Sequence, residues 1–156
     1  MKLILPTRIA AQVEPLIPAI APLCEIVHID EQGIPDGDLA DADIFLRWWT
    51  PHPIFRSVLA AAPHIRWIHT PSAGVEFILN VPEMQQSDIM LTNSVGAHSI
   101  PIAEFVMMYM LSHIKHVRNL FSLHPTDAWK FEDREQLGEL SGKVVLIIGL
   151  GSIGQE

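Results

Sequence analysis

Three glycines near the end of the sequence have the spacing of a phosphate-binding turn. They occur in the run Gly149-Leu150-Gly151-Ser152-Ile153-Gly154, directly after residues 143–148, a lysine followed by five apolar residues, which predict a buried strand. In a dinucleotide fingerprint, Gly149 permits a tight turn, Gly151 lets the backbone approach a pyrophosphate, and Gly154 lets the next helix pack on the strand. The amides of Ser152 and Ile153 would lie at that helix's N-terminus, where an anion is favoured. An ordinary glycine-rich turn is the alternative, but the strand and the three glycines together favour the dinucleotide interpretation.

The sequence ends at Glu156, two residues after Gly154. The helix that would present the pyrophosphate, and the acidic residue expected about 20 positions further on, therefore fall outside it. A parallel strand that is buried on both faces also needs neighbours from its own domain. We expect that the fingerprint is not a working nucleotide site within these 156 residues.

Small residues form a second candidate site in the run Thr70-Pro71-Ser72-Ala73-Gly74-Val75-Glu76. The run follows residues 67–69, which predict a strand, and precedes a predicted helix start near Gly74. Backbone amides in such a turn are able to hold a carboxylate or a phosphate. A plain strand-to-helix turn is equally compatible with this stretch, so both interpretations remain open.

Two more turns carry side chains that could contact a ligand. Trp48 and Trp49 precede Thr50 at the end of another predicted strand. Two adjacent indoles at a strand end cannot both face one core, so one of them could line a pocket, although half-buried packing is the commoner role. His98 precedes a long predicted helix and could also contact a ligand, although a lone loop histidine is more often solvated.

Metal and disulfide chemistry are not favoured. Among the eight histidines, His113 and His116 could share a helix face. No cysteine or carboxylate stands near them at zinc-site spacing, so no metal site is predicted. The single Cys24 excludes an intrachain disulfide and predicts a buried, inert thiol in a reducing compartment. No Walker loop, nucleophile elbow or paired-carboxylate motif occurs.

The composition describes a folded, acidic protein of 156 residues, of which 49% are hydrophobic. Ten basic and eighteen acidic residues give a net charge of −8, which argues against a nucleic-acid partner bound through phosphate neutralisation. Most of the excess negative charge comes from one acidic cluster without Lys or Arg: Glu25, Asp30, Glu31, Asp36, Asp38, Asp41 and Asp43. Such a cluster predicts a solvated loop and helix edge or, less often, a surface for a basic partner. No stretch has the length of a membrane span, and no signal peptide is evident, so we expect a cytoplasmic protein with no membrane partner.

Apolar runs that alternate with helical patterns predict βαβ units and a parallel sheet, and thus an α/β fold. The predicted strands are residues 2–5, 25–29, 42–46, 67–69 and 89–91. A proline-interrupted helix is predicted after the first strand, and another helix at 54–62 after Pro53. Ligands of such sheets bind at the carboxyl ends of the strands, where the candidate turns lie.

A long, mostly apolar helix is predicted over residues 101–121, and a helix of this kind is usually buried in a core or at a subunit contact. Its breadth of apolar surface predicts a homodimer. The following residues 122–141 are mostly polar, with Trp129 and Phe131 as their only aromatic side chains other than His124, and predict an arm or linker.

Taken together, these features resemble the D-isomer-specific 2-hydroxyacid dehydrogenase family. The match comprises the small-residue run 71–76, then Asn93-Ser94-Val95-Gly96-Ala97-His98, then Ile102-Ala103-Glu104, Leu140-Ser141-Gly142-Lys143 and the glycine fingerprint. Their order and spacing agree over almost the whole sequence. One departure is Glu76, which stands where the family usually has an aspartate.

The resemblance implies a flavodoxin-like substrate domain over residues 1–100, a hinge and dimer helix with an arm over 101–142, and the start of a truncated Rossmann domain at 143–156. It also implies that backbone amides of Ala73, Gly74 and Val75 hold a substrate carboxylate. The turn before the long helix would place His98 near the substrate and Ser99 near the nicotinamide, while Trp49 and Thr50 would shape substrate choice. Whether those residues favour a small or an aromatic substrate stays open.

The implied reaction is hydride transfer between NAD or NADP and a small 2-hydroxy or 2-keto acid. The family's catalytic histidine, its carboxylate partner and its substrate-binding arginine lie downstream of the fingerprint, so no catalytic residue is assigned and the 156 residues alone are expected to be inactive. A stand-alone flavodoxin-like binding or dimerisation module is the alternative. A receiver-like signalling domain is a weaker one, because Leu5-Pro6-Thr7 stands where its acidic residues would be.

Overall fold

The computed structural model describes residues 1–122 and 137–156, so Trp129 and Phe131 of the predicted arm lie outside the described residues. The chain divides into two compact units, Met1–Val95 and Gly96–Glu156. The first unit contains a five-stranded parallel sheet with helices, which confirms the predicted α/β fold.

The strand order β2-β1-β3-β4-β5 places the first strand in the interior of the sheet. The strands are β1 (Lys2–Pro6), β2 (Glu25–Ile29), β3 (Ile44–Leu46), β4 (Trp67–Thr70) and β5 (Met90–Asn93). The five strands predicted before residue 95 are all present, and the second has the predicted bounds. The others shift by one or two residues at an end because strand pairing decides where a strand stops. Thr70 pairs with Asn93, for example, beyond the predicted ends of both strands.

The helices of the first unit are short, except for one. They are α1 (Ala10–Val13), α2 (Ile17–Ile20), α3 (His52–Ala61), α4 (Glu76–Leu79) and α5 (Pro82–Gln85), with 3-10 turns at Thr7–Ile9 and Glu14–Leu16. Pro15 and Pro18 split the segment after β1 into these short pieces, as predicted, because each proline lacks an amide donor.

The core of the first unit lies between one face of the sheet and the helices α3, α4 and α5. Its fully buried side chains include Ile4, Phe45 and Ile68 on the strands and Phe55 and Ile78 on the helices. Phe45 and Phe55 stack with ring centroids 6.1 Å apart. This packing fixes the helix start at His52 and thereby the turn between β3 and α3.

The second unit contains α6 (Ser99–Ile114) and α7 (Val117–Phe121). The predicted helix over 101–121 is therefore broken, and the break lies at His116, which has a left-handed backbone with φ of 51°. Within the described residues, large apolar side chains of α6 are exposed rather than buried, Phe105 by 56% and Tyr109 by 65%. No helix among the described residues is long and apolar enough to cross a lipid bilayer.

Residues 143–148, predicted as a strand, do not form one. A strand needs a hydrogen-bonded neighbour, and none of the described residues pairs with this segment. Val144 and Ile148 are 94% and 92% exposed in consequence.

Candidate functional site

A cavity of about 330 Å³ lies at the carboxyl ends of β1, β2 and β3. β2 pairs with one side of β1 and β3 pairs with the other side, so the strand order reverses at β1. Open α/β sheets bind ligands at such a switch point. We call this cavity the switch-point cleft. It is lined by Pro6, Thr7, Arg8, Ile29, Asp30, Glu31, Trp48, Trp49, Thr50, Pro51 and Ile54.

Two predicted site residues, Trp49 and Thr50, lie in the turn between β3 and α3 and line this cleft. Trp49 has a left-handed backbone with φ of 50°, and its side chain is 59% exposed. Thr50 is buried, and its carbonyl oxygen accepts a hydrogen bond from Nη2 of Arg47 at 2.6 Å. The adjacent Trp48 is half-buried and lines the same cleft.

Arg47 is a buried cation that the sequence did not single out as functional. Its guanidinium carbon lies 4.4 Å from the ring centroid of Phe77 and 5.2 Å from that of Phe55. Burial lowers the pKa of Arg47 to about 10, because the charged form is desolvated. The group therefore remains cationic at neutral pH. In the sequence Arg47 is only a charged residue directly after the apolar strand β3, a position that predicts exposure rather than burial.

The small-residue turn lies elsewhere on the same edge, and it does not line the switch-point cleft. Ala73 and Gly74 are exposed, and Val75 precedes the first residue of α4. The side-chain amide of Asn93 donates a hydrogen bond to the carbonyl oxygen of Ala73 at 2.6 Å, which ties the turn to the end of β5. The carboxylate of Glu76 folds back toward Gly74, so that a Cβ atom added to this glycine would lie only 2.8 Å from Oε2.

A hydrogen-bonded group on β4 and β5 was also missed by sequence reasoning. Nε1 of Trp67 donates to the Thr92 hydroxyl at 2.8 Å, and the same oxygen lies 2.9 Å from Nδ1 of His69. Nε2 of His69 lies 3.3 Å from the Ser94 hydroxyl. The residues share one face of the sheet because Trp67 and His69 alternate with buried Ile68.

His98 and Ser99 belong to the second unit. His98 is exposed and precedes α6, where its carbonyl oxygen accepts the amide of Ile102 at 3.1 Å. Ser99 is the first residue of α6 and is buried. These contacts involve only the protein itself, so the roles of His98 toward the substrate and of Ser99 toward the nicotinamide remain predictions.

The glycine fingerprint forms the predicted turn. Gly149 has φ of 98°, a conformation that side chains disfavour. At Gly154 there is no room for a Cβ atom, because it would collide with the carbonyl oxygen of Gly149. At Gly151 nothing lies within 4 Å of a Cβ position, so its small size leaves open space beside the backbone. The amide of Gln155 donates to the carbonyl oxygen of Gly151 at 3.2 Å and closes one helical turn that contains Ser152 and Ile153.

This turn fits a pyrophosphate as far as the chain extends. The first and third glycines are required by the backbone itself, whereas the second is required only if something approaches it. Among residues 1–122 and 137–156, no three histidine, cysteine or acidic side chains lie close enough together to hold a metal ion.

Comparison with known proteins finds no matching family model. The chain is 26% identical over 150 residues to a glyoxylate reductase of Thermofilum pendens, covering 90% of this chain and 44% of the relative. It is 30% identical over 105 residues to a D-3-phosphoglycerate dehydrogenase of Methanocaldococcus jannaschii, covering 66% of this chain and 19% of the relative.

Solved structures cover still more of the chain. A D-isomer specific 2-hydroxyacid dehydrogenase family protein of Aeromonas salmonicida is 25% identical with a TM-score of 0.69, over 99% of this chain and 47% of that one. An NADPH-dependent glyoxylate/hydroxypyruvate reductase of Sinorhizobium meliloti, in complex with NADP and sulfate, is 20% identical with a TM-score of 0.58. The match covers 99% of this chain and 46% of that one. The resemblance to the D-isomer-specific 2-hydroxyacid dehydrogenase family is thus confirmed, and the chain spans about half the length of these proteins, or less.

Proposed function

We propose that the chain is the N-terminal part of an oxidoreductase that transfers a hydride between NAD or NADP and a small 2-hydroxy or 2-keto acid. The observation that carries this proposal is the extent of the similarity, which reaches 90% of this chain for a glyoxylate reductase and 99% for solved hydroxyacid dehydrogenases. The geometry of the fingerprint turn supports it independently, because two of the three glycines cannot be replaced without strain or collision.

The cofactor would be held at the fingerprint turn. Gly149 and Gly154 shape the turn, Gly151 leaves the backbone open, and the amides of Ser152 and Ile153 lie in the turn where a following helix would present them to a phosphate. When bound, the nicotinamide supplies or accepts the hydride, while the protein contributes orientation and charge. The choice between NAD and NADP depends on residues beyond the glycines.

The substrate carboxylate would be held by the backbone amides of Ala73, Gly74 and Val75. The hydrogen bond from Asn93 to Ala73 keeps this turn in place, and a carboxylate there would compete with the side chain of Glu76. His98 would contact the substrate and Ser99 the nicotinamide. Trp49 and Thr50 would shape the part of the substrate that lies away from the carboxylate.

These assignments imply three regions: a substrate domain over 1–100, a hinge and dimer region over 101–142, and the start of a nucleotide domain from 143. The first described unit, Met1–Val95, supports the first of these limits. We further propose that the protein works in the cytoplasm as a homodimer. No catalytic residue is assigned to the 156 residues, since the relatives are about twice as long.

The test compares this chain with the protein that its natural reading frame encodes beyond Glu156. We expect the longer protein to oxidise NADH or NADPH with glyoxylate, pyruvate or hydroxypyruvate, and the 156 residues alone to show neither turnover nor tight NADPH binding. A stop codon after Glu156, together with a stable dimer that binds no nucleotide, would instead support a stand-alone module. Turnover by the 156 residues alone would contradict the proposal that they contain no catalytic residue.

A further inference from the structure

Arg47 joins three elements at the carboxyl edge of the sheet. It follows β3 directly, only 4% of the residue is exposed, and its Nη2 atom donates to the carbonyl oxygen of Thr50 at 2.6 Å. Its guanidinium lies over Phe55 of α3 and Phe77 of α4. No carboxylate among the described residues forms an ion pair with it. The cation is therefore held by aromatic faces and one backbone carbonyl.

That arrangement costs desolvation energy, and part of its hydrogen-bonding capacity is unused. Nε of Arg47 is buried and makes no hydrogen bond within the described part of the chain. A cation placed over aromatic rings regains some of this energy, and more of it in a dry site than at the surface. A methionine or leucine would fill the same space without the desolvation cost. The presence of an arginine therefore points to a role for its hydrogen-bond donors, which methionine and leucine lack. The acceptor that the guanidinium reaches is the carbonyl oxygen of Thr50.

The turn that Arg47 holds is strained. Trp49 adopts a left-handed backbone with φ of 50°, which is uncommon for any residue but glycine and a genuine outlier for a bulky one. Such a conformation persists only where its surroundings over-determine it. Arg47 and Thr50 flank the strained residue, and the hydrogen bond between them closes the turn. The result is an indole that is 59% exposed in the wall of the switch-point cleft.

We infer that Arg47 is a positioning residue that holds the Trp49 turn closed, so that the indole walls a site for the apolar end of the acid substrate. This inference rests on the proposed function for the identity of the ligand. The cleft of about 330 Å³ is within the size range of small-molecule sites and is larger than the two-carbon acid glyoxylate needs. Its wall combines an aromatic and aliphatic part, with Trp48, Ile29 and Ile54, and a charged part. The charged part consists of Arg8, Asp30 and Glu31. The aromatic and aliphatic part suits the ring of a 2-keto acid with an aromatic side chain.

The structural part is tested by ¹⁹F NMR of the 156-residue chain with 5-fluorotryptophan at its four tryptophans, each assigned by a Trp→Phe variant. We expect Arg47→Lys and Arg47→Met to move the Trp49 resonance, because the turn opens. The Trp67 resonance should stay, since that indole donates to Thr92. Arg56→Met is the matched control, because Arg56 is exposed and pairs with Glu83.

Phe77→Leu is a second variant in case Arg47→Met does not fold, since it removes one stacking ring and keeps the arginine. It should move the Trp49 resonance in the same direction as Arg47→Lys. An unchanged Trp49 resonance in Arg47→Lys and Phe77→Leu, with the other three resonances those of a folded chain, would overturn the inference.

The substrate part is tested in the longer protein with phenylpyruvate and glyoxylate. We expect Arg47→Lys to raise KM for phenylpyruvate about tenfold, the loss expected for one hydrogen bond to a charged group, with kcat within about twofold. KM for glyoxylate should change by less than about twofold. Equal changes for both acids would overturn the assignment of the cleft to the apolar end. If the longer protein reduces no 2-keto acid, the proposed function fails, while the NMR result still decides the role of Arg47.

Discussion

The carboxylate of Asp43 connects the start of the chain to the sheet. It accepts a hydrogen bond from the amide of Lys2 at 2.9 Å and from Nη2 of Arg66 at 2.7 Å. These contacts favour the charged form, so the hydrogen bond from the Lys2 amide, and then that from Arg66, lower the pKa of Asp43 below its ordinary 3.8. Between that lowered pKa and 3.8 the unfolded chain binds more protons than the folded chain. The stabilisation is therefore fully present above the unfolded-state pKa and is lost as the pH falls through the folded-state pKa.

We predict that Asp43→Asn lowers the thermal midpoint at pH 7 and that the difference from the wild type shrinks at about pH 3, below the ordinary pKa of an aspartate. The measurement is thermal unfolding by circular dichroism at both values. Asp41→Asn is the control, because Asp41 is exposed two residues earlier. An equal deficit at both pH values would show that the carboxylate acts by shape rather than by charge.

The three fingerprint glycines make distinct predictions at the residue scale. In the longer protein, Gly154→Ala should lower stability by about 1–3 kcal/mol, because the new methyl group meets the carbonyl oxygen of Gly149. Gly151→Ala should leave the thermal midpoint unchanged, since nothing stands near its Cβ position. Both variants should weaken NADPH binding in a fluorescence titration. If Gly151→Ala binds NADPH as well as the wild type, the assignment of that glycine to the pyrophosphate is wrong.

At the scale of elements, five of the six apolar runs that predicted strands form them. The sixth, residues 143–148, does not, because an apolar run also needs a strand beside it and no described residue pairs with this one. The break of the long helix at His116 was missed, since neither glycine nor proline marks it. The group formed by Trp67, His69 and Thr92 was missed for a different reason. Its members come together because β4 pairs with β5 in a particular register, and neither segment's own sequence indicates which strand it will pair with.

Residue size pointed to the two turns of the candidate site, whereas a buried side chain was missed, and the ligand roles of the site residues remain predictions. The glycine turn and the small-residue turn follow from residue size, and both adopt turns in the structure. Arg47 was overlooked because arginine is almost never fully buried without a partner, so a charged residue after a strand predicts exposure. Its burial depends on Phe55 and Phe77, which lie 8 and 30 residues further along the chain and enclose the guanidinium in the folded structure.

The apolar surface of α6 predicts self-association. Phe105 and Tyr109 are four residues apart on one face of this helix, each is more than half exposed, and their ring centroids lie 6.1 Å apart. A broad exposed apolar patch is rare on a monomer. We expect light scattering to detect a dimer at micromolar concentrations, and Phe105→Glu to shift it to monomer. Ile34→Glu is the control, because Ile34 is exposed by 64% in the first unit, outside α6. A monomer throughout, or a dimer that Phe105→Glu leaves intact, would contradict the predicted role of the helix.

At the scale of the whole molecule, the two units differ in what they bury. Every buried apolar side chain of the described residues lies between Ile4 and Met84, within Met1–Val95. The described part of the second unit buries only Ser99. Buried apolar area is the main favourable contribution to folding. The cooperative unfolding of the chain should therefore be that of its first unit.

We accordingly predict that residues 1–95 fold by themselves, with a thermal midpoint within about 4 °C of that of the 156 residues, which corresponds to a difference of about 1 kcal/mol or less for a domain of this size. Phe45→Ala should lower the midpoint strongly in both, because it empties a fully buried position at a cost of about 3–5 kcal/mol. Circular dichroism melts of the four proteins make the comparison. An unfolded 1–95 chain, or one whose melt ignores Phe45→Ala, would mean that residues beyond Val95 complete the core, and the proposed domain limit at residue 100 would then have to move.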